Sequence, residues 1–384
     1  MFGPDDDGPE AIAARAATKG IQRIHMLAWR DLDDPDAGGS ELHASTVAAH
    51  WAAAGLEVTL RTSSAPGHRP EAERNGYRVV RRGGRYGVFP RTVASEIFGR
   101  LGPRDALVEI WNGVPFLSPL WARRPRMTWI HHVHEDMWPQ VLPFPLAQMG
   151  QVMERRFAPP LYRRTPIVTL SESSKAHIVD RMRLSPAQIE VVPPGIDSSF
   201  VPGTRAVDPL VLAVGRLMPP KDFPRLFAAM QRVRETVPTA RLMIVGEGPE
   251  RRSLEALIQD ANAADWCELP GRLSDDALRH AYQQAWVLSS VSTAEGWGMT
   301  ITEAAACATP AVATRIPGHC DAVEHEVTGV LVDRDDELVS GIARLLEDPA
   351  LRDRMGQAAY RRSADYSWAR TARRTLDVLV GSVS

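Results

Sequence analysis

One segment, residues 289–310, contains the side chains best suited to chemistry in this chain. Glu295 precedes a turn that holds Gly296 and Gly298, and Glu303 follows eight residues later in an alanine-rich stretch. The first amides of a helix lack partners within the helix and carry the positive end of its dipole, so a phosphate group can bind there. At about 100° per residue the two carboxylates need not share a helix face. They would then contact different parts of one elongated ligand.

The same two glutamates also have an ordinary structural explanation. Glu295 could complement the helix dipole, and Glu303 could be a solvent-exposed helix residue. Spacing alone leaves both interpretations open, because two glutamates at any given spacing are common. The other segments of the chain, which must position this turn, therefore decide between the functional and the structural interpretation.

Composition limits the classes of protein to consider. A chain of 384 residues is long enough for two ordinary domains, and its net charge of −2 argues against nucleic acid as the main partner. The three cysteines fit neither a paired disulfide framework nor a C-x-x-C metal site, so a reduced, cytoplasmic setting is expected. Residues 1–20 resemble no signal peptide and are predicted to form a flexible tail. The sequence has no run of eighteen apolar residues, so any membrane contact should be peripheral.

Residues 61–104 are locally basic. They hold ten arginines against three glutamates, a local charge of +7. Such a region can be a solvated face, or it can meet an anionic acceptor or the inner face of a membrane. Both interpretations stay open from the sequence.

The first half of the chain opens as a βαβ unit. Residues 21–28 are predicted as a strand, and a loop containing Gly38 and Gly39 follows. Ser40 is predicted to cap a helix over residues 41–54, and a strand over residues 57–61 comes next. This order predicts a parallel sheet, and the glycine pair at a helix start is a modest signal for phosphate or sugar contact.

Further strands and helices continue this α/β pattern. Strands are predicted over residues 76–82, 105–110, 127–130, 167–170 and 189–192, with a basic loop over 85–91 and an amphipathic helix or helix pair over 144–164. The strand ends carry Asn112 and a histidine cluster, His131, His132 and His134. Strand ends on one edge of a parallel sheet form its ligand crevice. Contact with substrate is preferred for the cluster, while a metal site and purely structural histidines are the alternatives.

The second half repeats the pattern after a Pro- and Gly-rich linker at residues 201–209. Strands are predicted over residues 210–214, 241–245, 267–269, 285–288, 311–314 and 329–332. Their ends carry Arg216 and Lys221, which can neutralise phosphate oxygens near the Gly298 turn or can be two surface cations. Gly246-x-Gly248 lacks the third glycine of a dinucleotide fingerprint, which argues against an NAD-dependent enzyme.

Together these segments resemble the retaining glycosyltransferases of family 4, which have the GT-B fold, over nearly all residues beyond the first twenty. G-R-L-M-P-P-K-D-F is similar to the donor-phosphate motif, V-G-E-G-P and L-P-G-R-L-S-D-D-A-L to the segments that hold the base, and E-G-W-G-M-T-I-T-E to the E-x7-E signature. D-A-G-G-S-E resembles the glycine loop near the donor. Two departures are Ala308, where the family has glycine, and Pro193-Pro194-Gly195, where it has Pro-Asn-Gly. The second departure could change how the interdomain loop meets the ligand.

The resemblance implies roles for individual residues. His131, Glu295, Arg216 and Lys221 are the implied catalytic residues, with His132 as the rival histidine. The implied donor-binding residues are Gly38, Gly39, Gly215, Gly246, Gly248, Gly271, Arg272, Leu273, Gly296, Trp297, Gly298, Met299, Thr300 and Glu303. Asn112, His132 and His134 are expected on the acceptor side. No metal or cofactor is expected, because the cations and helix amides would stabilise the departing diphosphate.

We therefore expect two Rossmann-like α/β domains facing a central cleft. The predicted ranges are a tail at 1–20, an acceptor-side domain at 21–203, a donor domain at 204–366 and a crossover helix at 367–384 that packs on the first domain. The expected activity is retaining, metal-independent transfer of a sugar from a nucleoside-diphosphate sugar to a hydroxyl of a lipid, glycan or small metabolite. An epimerase on the same fold and an inactive nucleotide-binding scaffold are the alternatives. The sequence leaves the base, the sugar, the acceptor and the oligomeric state open.

Overall fold

The computed structural model describes residues 7–123, 125–134, 138 and 144–381, which form two units. Unit 1 comprises Met1–Gly195 and Trp368–Ser384, and unit 2 comprises Ile196–Ser367. The first boundary therefore lies eight residues before the predicted one at 203/204. The segment in between is tied to unit 2: the Ile196 amide donates to the Tyr366 carbonyl at 3.3 Å, and the Gln283 side chain donates to the Val201 carbonyl at 3.0 Å.

Unit 1 is built on an eight-stranded sheet in the order β3-β4-β2-β1-β5-β6-β7-β8. Its strands are β1 (Arg23–Leu27), β2 (Glu57–Thr62), β3 (Glu71–Arg74), β4 (Tyr77–Arg81), β5 (Ala106–Ile110), β6 (Arg126–Trp129), β7 (Ile167–Thr169) and β8 (Ile189–Val191). All neighbours pair in parallel except β3 and β4, which form an antiparallel hairpin. The strand order reverses between β1 and β5, so a ligand crevice is expected at their carboxyl ends.

The helices of unit 1 include two that the sequence did not indicate. The helices among the described residues before the boundary are α1 (Pro9–Ala17), α2 (Gly39–Ala53), α3 (Val88–Ile97), α4 (Leu146–Val152), α5 (Pro159–Tyr162) and α6 (Glu172–Met182). The expected tail at 1–20 is wrong for α1, because Ile12 and Ala16 are buried in the core of unit 1. The basic loop at 85–91 is wrong as well, because α3 begins within it at Val88 and buries Val88 and Thr92.

The basic stretch at residues 61–104 is largely neutralised within unit 1. Six of its arginines pair with carboxylates: Arg74 with Asp33, Arg78 and Arg82 with Glu71, Arg81 with Asp31, Arg85 with Asp36, and Arg104 with Glu96. Arg61 is fully buried, and its burial lowers the pKa of its guanidinium to about 10. The three aspartates precede this stretch in sequence, so a local charge count overstated the surplus.

Unit 2 is built on a fully parallel six-stranded sheet in the order β11-β10-β9-β12-β13-β14. Its strands are β9 (Leu210–Val214), β10 (Arg241–Val245), β11 (Cys267–Gly271), β12 (Val287–Ser290), β13 (Ala311–Thr314) and β14 (Gly329–Val332). Numbered within the unit, this is the order 3-2-1-4-5-6 of a doubly wound nucleotide-binding sheet. The order reverses between β9 and β12.

Helices cover the sheet of unit 2. They are α7 (Phe223–Thr236), α8 (Arg251–Asp260), α9 (Asp275–Gln284), α10 (Met299–Ala306), α11 (His319–Ala322), α12 (Asp335–Glu347) and α13 (Pro349–Ser363). Ser274 caps α9, because its hydroxyl accepts from the Ala277 amide at 3.3 Å, and Asp348 caps α13 in the same way. The apolar sides of α7, α8 and α12 supply much of the main core of this unit.

The last helix, α14 (Trp368–Val380), belongs to unit 1 although it follows unit 2 in sequence. Ala372 and Leu376 are fully buried in the core of unit 1, and the Trp51 indole donates to the Ala372 carbonyl at 2.9 Å. Asp7 fixes the same helix by pairing with Arg373 at 2.6 Å and with Arg370 at 3.1 Å. The helices in the described part of the chain are all too short or too polar to cross a bilayer.

Candidate functional site

The first group of functional candidates lies at the carboxyl ends of β9 and β12, where the strand order of unit 2 reverses. Gly215 and Arg216 follow β9 directly, a short 3-10 turn over Pro219–Lys221 comes next, and Glu295 follows β12. The two strand exits are joined, since the Thr293 amide donates to the Pro220 carbonyl at 2.8 Å. Arg216 is exposed at this edge.

Lys221 and Glu295 form an ion pair between these two strand exits. Side chains in the pair are only 24% and 20% exposed, and the Ser292 hydroxyl donates a second hydrogen bond to Glu295 Oε1 at 3.0 Å. Burial works against the charged form of Glu295, but the Lys221 ammonium, together with His319 and the Ser292 hydrogen bond, outweighs it and lowers the pKa of the carboxyl. The Lys221 stem lies over Gly215, where an added Cβ would come within 3.2 Å of the lysine Cε. The site thus holds one cation and one carboxylate in fixed positions.

The amino end of α10 is shaped by two glycines in the left-handed region. Gly298 has a φ of 99° and immediately precedes the helix. Gly318 has a φ of 87°, and a Cβ there would lie 2.6 Å from the Glu295 carbonyl oxygen and 2.8 Å from the Trp297 amide nitrogen. Only glycine accepts this backbone at so close an approach. The amides of Met299 and Thr300 begin a helix of eight residues, so this end of α10 can receive an anion.

His319 is a component of this site that the sequence did not reveal. It is fully buried; its Nδ1 lies 2.9 Å from the Thr314 carbonyl and its Nε2 lies 3.1 Å from the Ser290 hydroxyl. Burial lowers the pKa of His319, although Glu295 opposes the shift. The ring therefore connects the end of β12 to the end of β13 behind the turn that carries Glu295. The residues around His319 come from three segments of the chain, so no local sequence motif identifies this histidine.

The predicted base-binding glycines lie where two strand exits pack against each other. A Cβ at Gly246 would lie 1.9 Å from the Gly215 carbonyl oxygen, and one at Gly248 would lie 2.3 Å from the Leu217 carbonyl oxygen. The loop after β11 joins them, because the Gly246 amide donates to the Gly271 carbonyl at 3.0 Å. Arg272 and Leu273 continue from Gly271 at the same edge of the sheet.

Glu303 has a partner of its own, separate from the Lys221 pair. The Tyr282 hydroxyl donates to Glu303 Oε2 at 2.6 Å, from α9 to α10. Burial raises the pKa of Glu303 to about 7, because the Tyr282 hydrogen bond offsets only part of the cost of burying the charge. The two glutamates of the E-x7-E segment therefore differ: Glu295 is held ionised, whereas Glu303 titrates near neutral pH. Tyr282 was also missed from the sequence, since it lies 21 residues away on another helix.

In unit 1 the glycine pair sits at the start of α2, as expected, but the cap differs from the prediction. The helix begins at Gly39, so Ser40 lies within its first turn. The Glu41 carboxylate takes the capping role, since Oε2 accepts from the Gly38 amide at 2.8 Å and from the Ser40 hydroxyl at 2.9 Å. Arg30 approaches the other oxygen of Glu41 at 3.5 Å. The loop after β1 is thereby fixed at the crevice edge of the sheet.

His131 follows β6 and lies against α2. Its Nε2 is 3.1 Å from Nδ1 of His43, and both rings are at most 5% exposed. Burial, together with His132 and His134, lowers the pKa of His131 to about 3, and burial lowers the pKa of His43 well below its ordinary value. Both imidazoles are therefore neutral at physiological pH, and one of the facing nitrogens must donate to the other. His43 was missed because it appears in sequence as one more residue of a buried helix.

The other acceptor-side candidates form a separate group. His132 and His134 face each other with ring centroids 4.4 Å apart. The His134 amide donates to Glu154 Oε1 at 2.9 Å, and the Trp138 indole donates to Glu154 Oε2 at 3.1 Å. Asn112, half-buried, follows β5. No three His, Cys, Asp or Glu side chains of the described ranges come together as a metal site would require.

This geometry suits the handling of an anionic ligand in unit 2. Lys221, Arg216 and the first amides of α10 offer positive charge at one edge of the sheet, and Glu295 and Glu303 offer acceptors for hydroxyl groups. Unit 1 contributes neutral imidazoles and a capped helix start at the equivalent edge of its own sheet.

Profiles of known protein families divide the chain in nearly the same way as the two structural units. Residues 37–200 match the profile described as Glycosyltransferase Family 4, and residues 197–362 match the profile described as Glycosyl transferases group 1. The two matches meet near the boundary between the units and together run from residue 37 to residue 362. The chain belongs to the family 4 glycosyltransferases and is an enzyme of the transferase class.

Named relatives are similar over most of the chain or over about half of it. D-inositol 3-phosphate glycosyltransferase of Kribbella flavida is 28% identical over 94% of this chain and 96% of that protein. The protein of the same name from Segniliparus rotundus is 32% identical, but that match spans 54% of this chain and about half of the relative, 50%.

Solved structures confirm the GT-B fold. Sucrose-phosphate synthase from Thermosynechococcus elongatus superposes with a TM-score of 0.78 at 22% identity, covering 92% of this chain and 97% of that one. Alr3699/HepE of Anabaena, solved in complex with UDP-glucose, superposes with a TM-score of 0.73 at 18% identity, covering 94% of this chain and 100% of that one.

Proposed function

We propose that this enzyme transfers a sugar from a nucleoside-diphosphate sugar to an acceptor hydroxyl, with retention at the anomeric carbon and without an essential metal ion. The observation that carries the proposal is the Lys221–Glu295 pair at the strand-order reversal of unit 2. A doubly wound sheet binds nucleotides at this point. The UDP-glucose complex of HepE is support from a protein of similar fold.

The donor would bind along the edge of unit 2 through four parts: the diphosphate, the sugar, the ribose and the base. The diphosphate would lie on the first amides of α10 and against Arg216 and Lys221. Once a phosphate oxygen shares the Lys221 ammonium, Glu295 can accept hydrogen bonds from hydroxyls of the sugar. Glu303 would accept from the ribose, and the loops at Gly246 and Gly271 would hold the base. The sugar, diphosphate and ribose would contact groups that follow β9 and β12, whereas the base would contact the ends of β10 and β11.

Metal independence is part of the proposal because the chain itself can place positive charge at the leaving group. Negative charge grows on the diphosphate as the glycosidic bond breaks, and preorganised cations and amides stabilise it without reorganisation. For retention, the acceptor hydroxyl attacks from the face that the diphosphate leaves, and a phosphate oxygen takes the hydroxyl proton. The sugar–phosphate bond breaks, the new glycosidic bond forms, and nucleoside diphosphate departs. His131, neutral at the crevice edge of unit 1, would hydrogen-bond the sugar or the acceptor.

A donor and acceptor screen tests the proposal. Full-length enzyme is incubated with common sugar nucleotides and with inositol phosphates, sugars and lipid acceptors, with and without EDTA, and products are assigned by NMR. We expect a glycoside with the anomeric configuration of the donor, at a rate that EDTA leaves unchanged. An altered sugar nucleotide formed without any acceptor would instead identify an epimerase, and nucleotide binding without turnover would identify a scaffold. Product of the opposite configuration would overturn retention.

A further inference from the structure

The segment from Phe144 to Arg164 in unit 1 has an inner side that packs in the usual way. It contains α4, a π-helical turn over Met153–Phe157 and α5. The buried residues are Ala147, Gly150, Glu154, Ala158, Pro159 and Tyr162, and apart from Pro159 they recur every three or four positions. This spacing is that of a helix with one face against a core.

The outer side of the same segment is apolar, which is unusual for a surface helix. Its side chains are exposed to these extents: Phe144 74%, Leu146 45%, Met149 65%, Val152 42%, Phe157 66% and Leu161 37%. Single exposed apolar residues are normal in soluble proteins, but a contiguous set indicates an interaction surface. We call these six residues, with the arginines described next, the α4–α5 surface.

The α4–α5 surface is also strongly basic. Arg155, Arg156, Arg163 and Arg164 are all exposed within it. Glu154 supplies the only carboxylate between Phe144 and Arg164, and it is 1% exposed with its oxygens turned to His134 and Trp138. The exposed side of the segment therefore combines bulky apolar groups and four cations with no acidic side chain of its own.

We propose that the α4–α5 surface docks onto an anionic lipid bilayer. A short helix with apolar groups and arginines on the same exposed side can insert the apolar groups at the boundary of headgroups and acyl chains, while the guanidinium groups meet lipid phosphates. Arginine suits this position because its planar fork binds phosphate oxygens in pairs. The proposal concerns a surface outside the donor site and does not depend on the sugar that is transferred.

Charge argues against the other candidate partner, a second copy of the chain. A twofold contact through this surface would set four arginines against the same four arginines, with no carboxylate of the segment between them.

Docking at this surface would bring a bilayer close to the acceptor-side candidates of unit 1. Glu154 lies on the inner side of the same segment and accepts from the His134 amide at 2.9 Å. The loop after β6, which also carries His131, is thus hydrogen-bonded to the segment that would lie on the membrane. A hydroxyl on a lipid headgroup, or on a soluble molecule near the bilayer, could then reach that loop.

Vesicle flotation of the full chain tests the proposal. Vesicles of phosphatidylcholine alone are compared with vesicles of phosphatidylcholine and phosphatidylglycerol, at low and high salt. We expect wild type to float with the anionic vesicles only, and high salt to weaken the association because it screens the guanidinium charges. The M149S/F157S and R156E/R163E variants should each lower the partition coefficient by about tenfold or more.

A matched control substitutes an exposed aromatic residue and an arginine elsewhere in unit 1. Phe98 is 71% exposed and lies beside Arg100, so the F98S/R100E variant removes similar groups from a different surface and should float like wild type. Thermal unfolding verifies that each variant is folded, and turnover of a soluble acceptor should not change.

Three results would overturn the proposal. The first is wild-type protein that does not float with anionic vesicles, and the second is flotation that both surface variants retain. The third is self-association in gel filtration without lipid that M149S/F157S abolishes, which would identify the surface as an interface between copies. Flotation needs no donor and no turnover, so failure of the proposed transfer reaction would not be confused with failure of membrane docking.

Discussion

The carboxyl edges of the two sheets have the same topology and opposite chemistry. In unit 2 the edge holds a lysine–glutamate ion pair and left-handed glycines that pack backbone against backbone. In unit 1 the equivalent edge holds two buried imidazoles whose pKa values are lowered far enough to keep them neutral. Strand order thus defines where a ligand can bind, and the side chains at each edge define what charge it meets. Unit 2 is suited to stabilising an anion, and unit 1 to orienting uncharged groups.

Removal of Lys221 should produce the largest effect. In Lys221→Met the diphosphate loses a cation, and the half-buried Glu295 loses the main interaction that offsets its burial, so its pKa should rise. We expect turnover to fall by about 10²- to 10³-fold, the size of effect seen when one preorganised charge-stabilising group is lost. Steady-state kinetics with the donor found in the screen would measure this.

Arg225 provides the matched control for Lys221. It lies in the first turn of the next helix, α7, and pairs with Asp335 at 2.6 Å rather than with Glu295. Arg225→Met should leave turnover within about twofold of wild type, since a surface ion pair contributes little. If Lys221→Met behaved in the same way, the charged edge of unit 2 would not be the donor site.

His131 should show the second largest effect, and one that does not depend on pH. His131→Phe keeps a ring but removes the hydrogen bond to His43, and we expect a fall in turnover of about 10- to 100-fold. Because the pKa of His131 is lowered to about 3, its ionisation should add no step to the pH–rate profile between pH 5 and 8.

His132→Phe is the comparison that separates the two rival histidines. His132 faces His134 rather than His43, so its replacement should have the smaller effect. A larger loss in His132→Phe would transfer the assignment to His132. A limb of the pH–rate profile that disappears in His131→Phe would contradict the neutral state of the buried pair.

Much of this comparison was accessible from the sequence. Short apolar runs located thirteen of the fourteen strands found among the described residues, and their alternation with helices predicted two parallel sheets with Arg216, Lys221 and Glu295 at strand ends. The missing strand, β3, has the sequence Glu-Ala-Glu-Arg and only half-buried or exposed residues, so it carries no apolar pattern. Helices α1 and α3 escaped prediction because acidic, glycine and arginine residues around them are typical of loops.

The partners of the site residues were not accessible in this way. Tyr282 reaches Glu303 from another helix, His43 reaches His131 across 88 residues, and His319 connects two strand ends. Each of these contacts joins segments that are distant in the chain and adjacent only in the fold. Local pattern and spacing contain no information on these contacts. The contacts nevertheless determine which of the site residues are charged.

Gly318 should be sensitive to substitution, because the backbone on either side of Gly296 lies close to it. In Gly318→Ala the new Cβ would press on the Glu295 carbonyl and the Trp297 amide, and the φ of 87° disfavours alanine in any case. We expect a loss of roughly 1–3 kcal/mol in the free energy of unfolding and a displaced Glu295 turn, with reduced turnover. Gly84→Ala is the control, because its Cβ would meet nothing within 4 Å and no left-handed φ is required there. Equal stability of the two variants would show that the turn around Glu295 can move freely.

Replacement of Glu303 should give the smallest effect of these variants, and its effect on stability should have a defined direction with pH. Burial raises its pKa from the ordinary 4.5 to about 7, so the folded protein binds this proton more tightly than the unfolded chain does. The favourable contribution is complete below pH 4.5 and is lost as the pH rises through 7, and for this half-buried group we expect it to be about 1 kcal/mol. Glu303→Gln cannot titrate, so the difference in unfolding free energy between wild type and this variant should change over that window and in that direction.

Calorimetry with a bare nucleoside diphosphate adds a second measurement: wild-type affinity should rise from pH 6 to pH 8 relative to Glu303→Gln, because the ionised carboxylate is the better acceptor for ribose hydroxyls. A pH-independent difference in both measurements would mean that Glu303, like Glu295, is ionised throughout, and the contrast between the two glutamates would disappear.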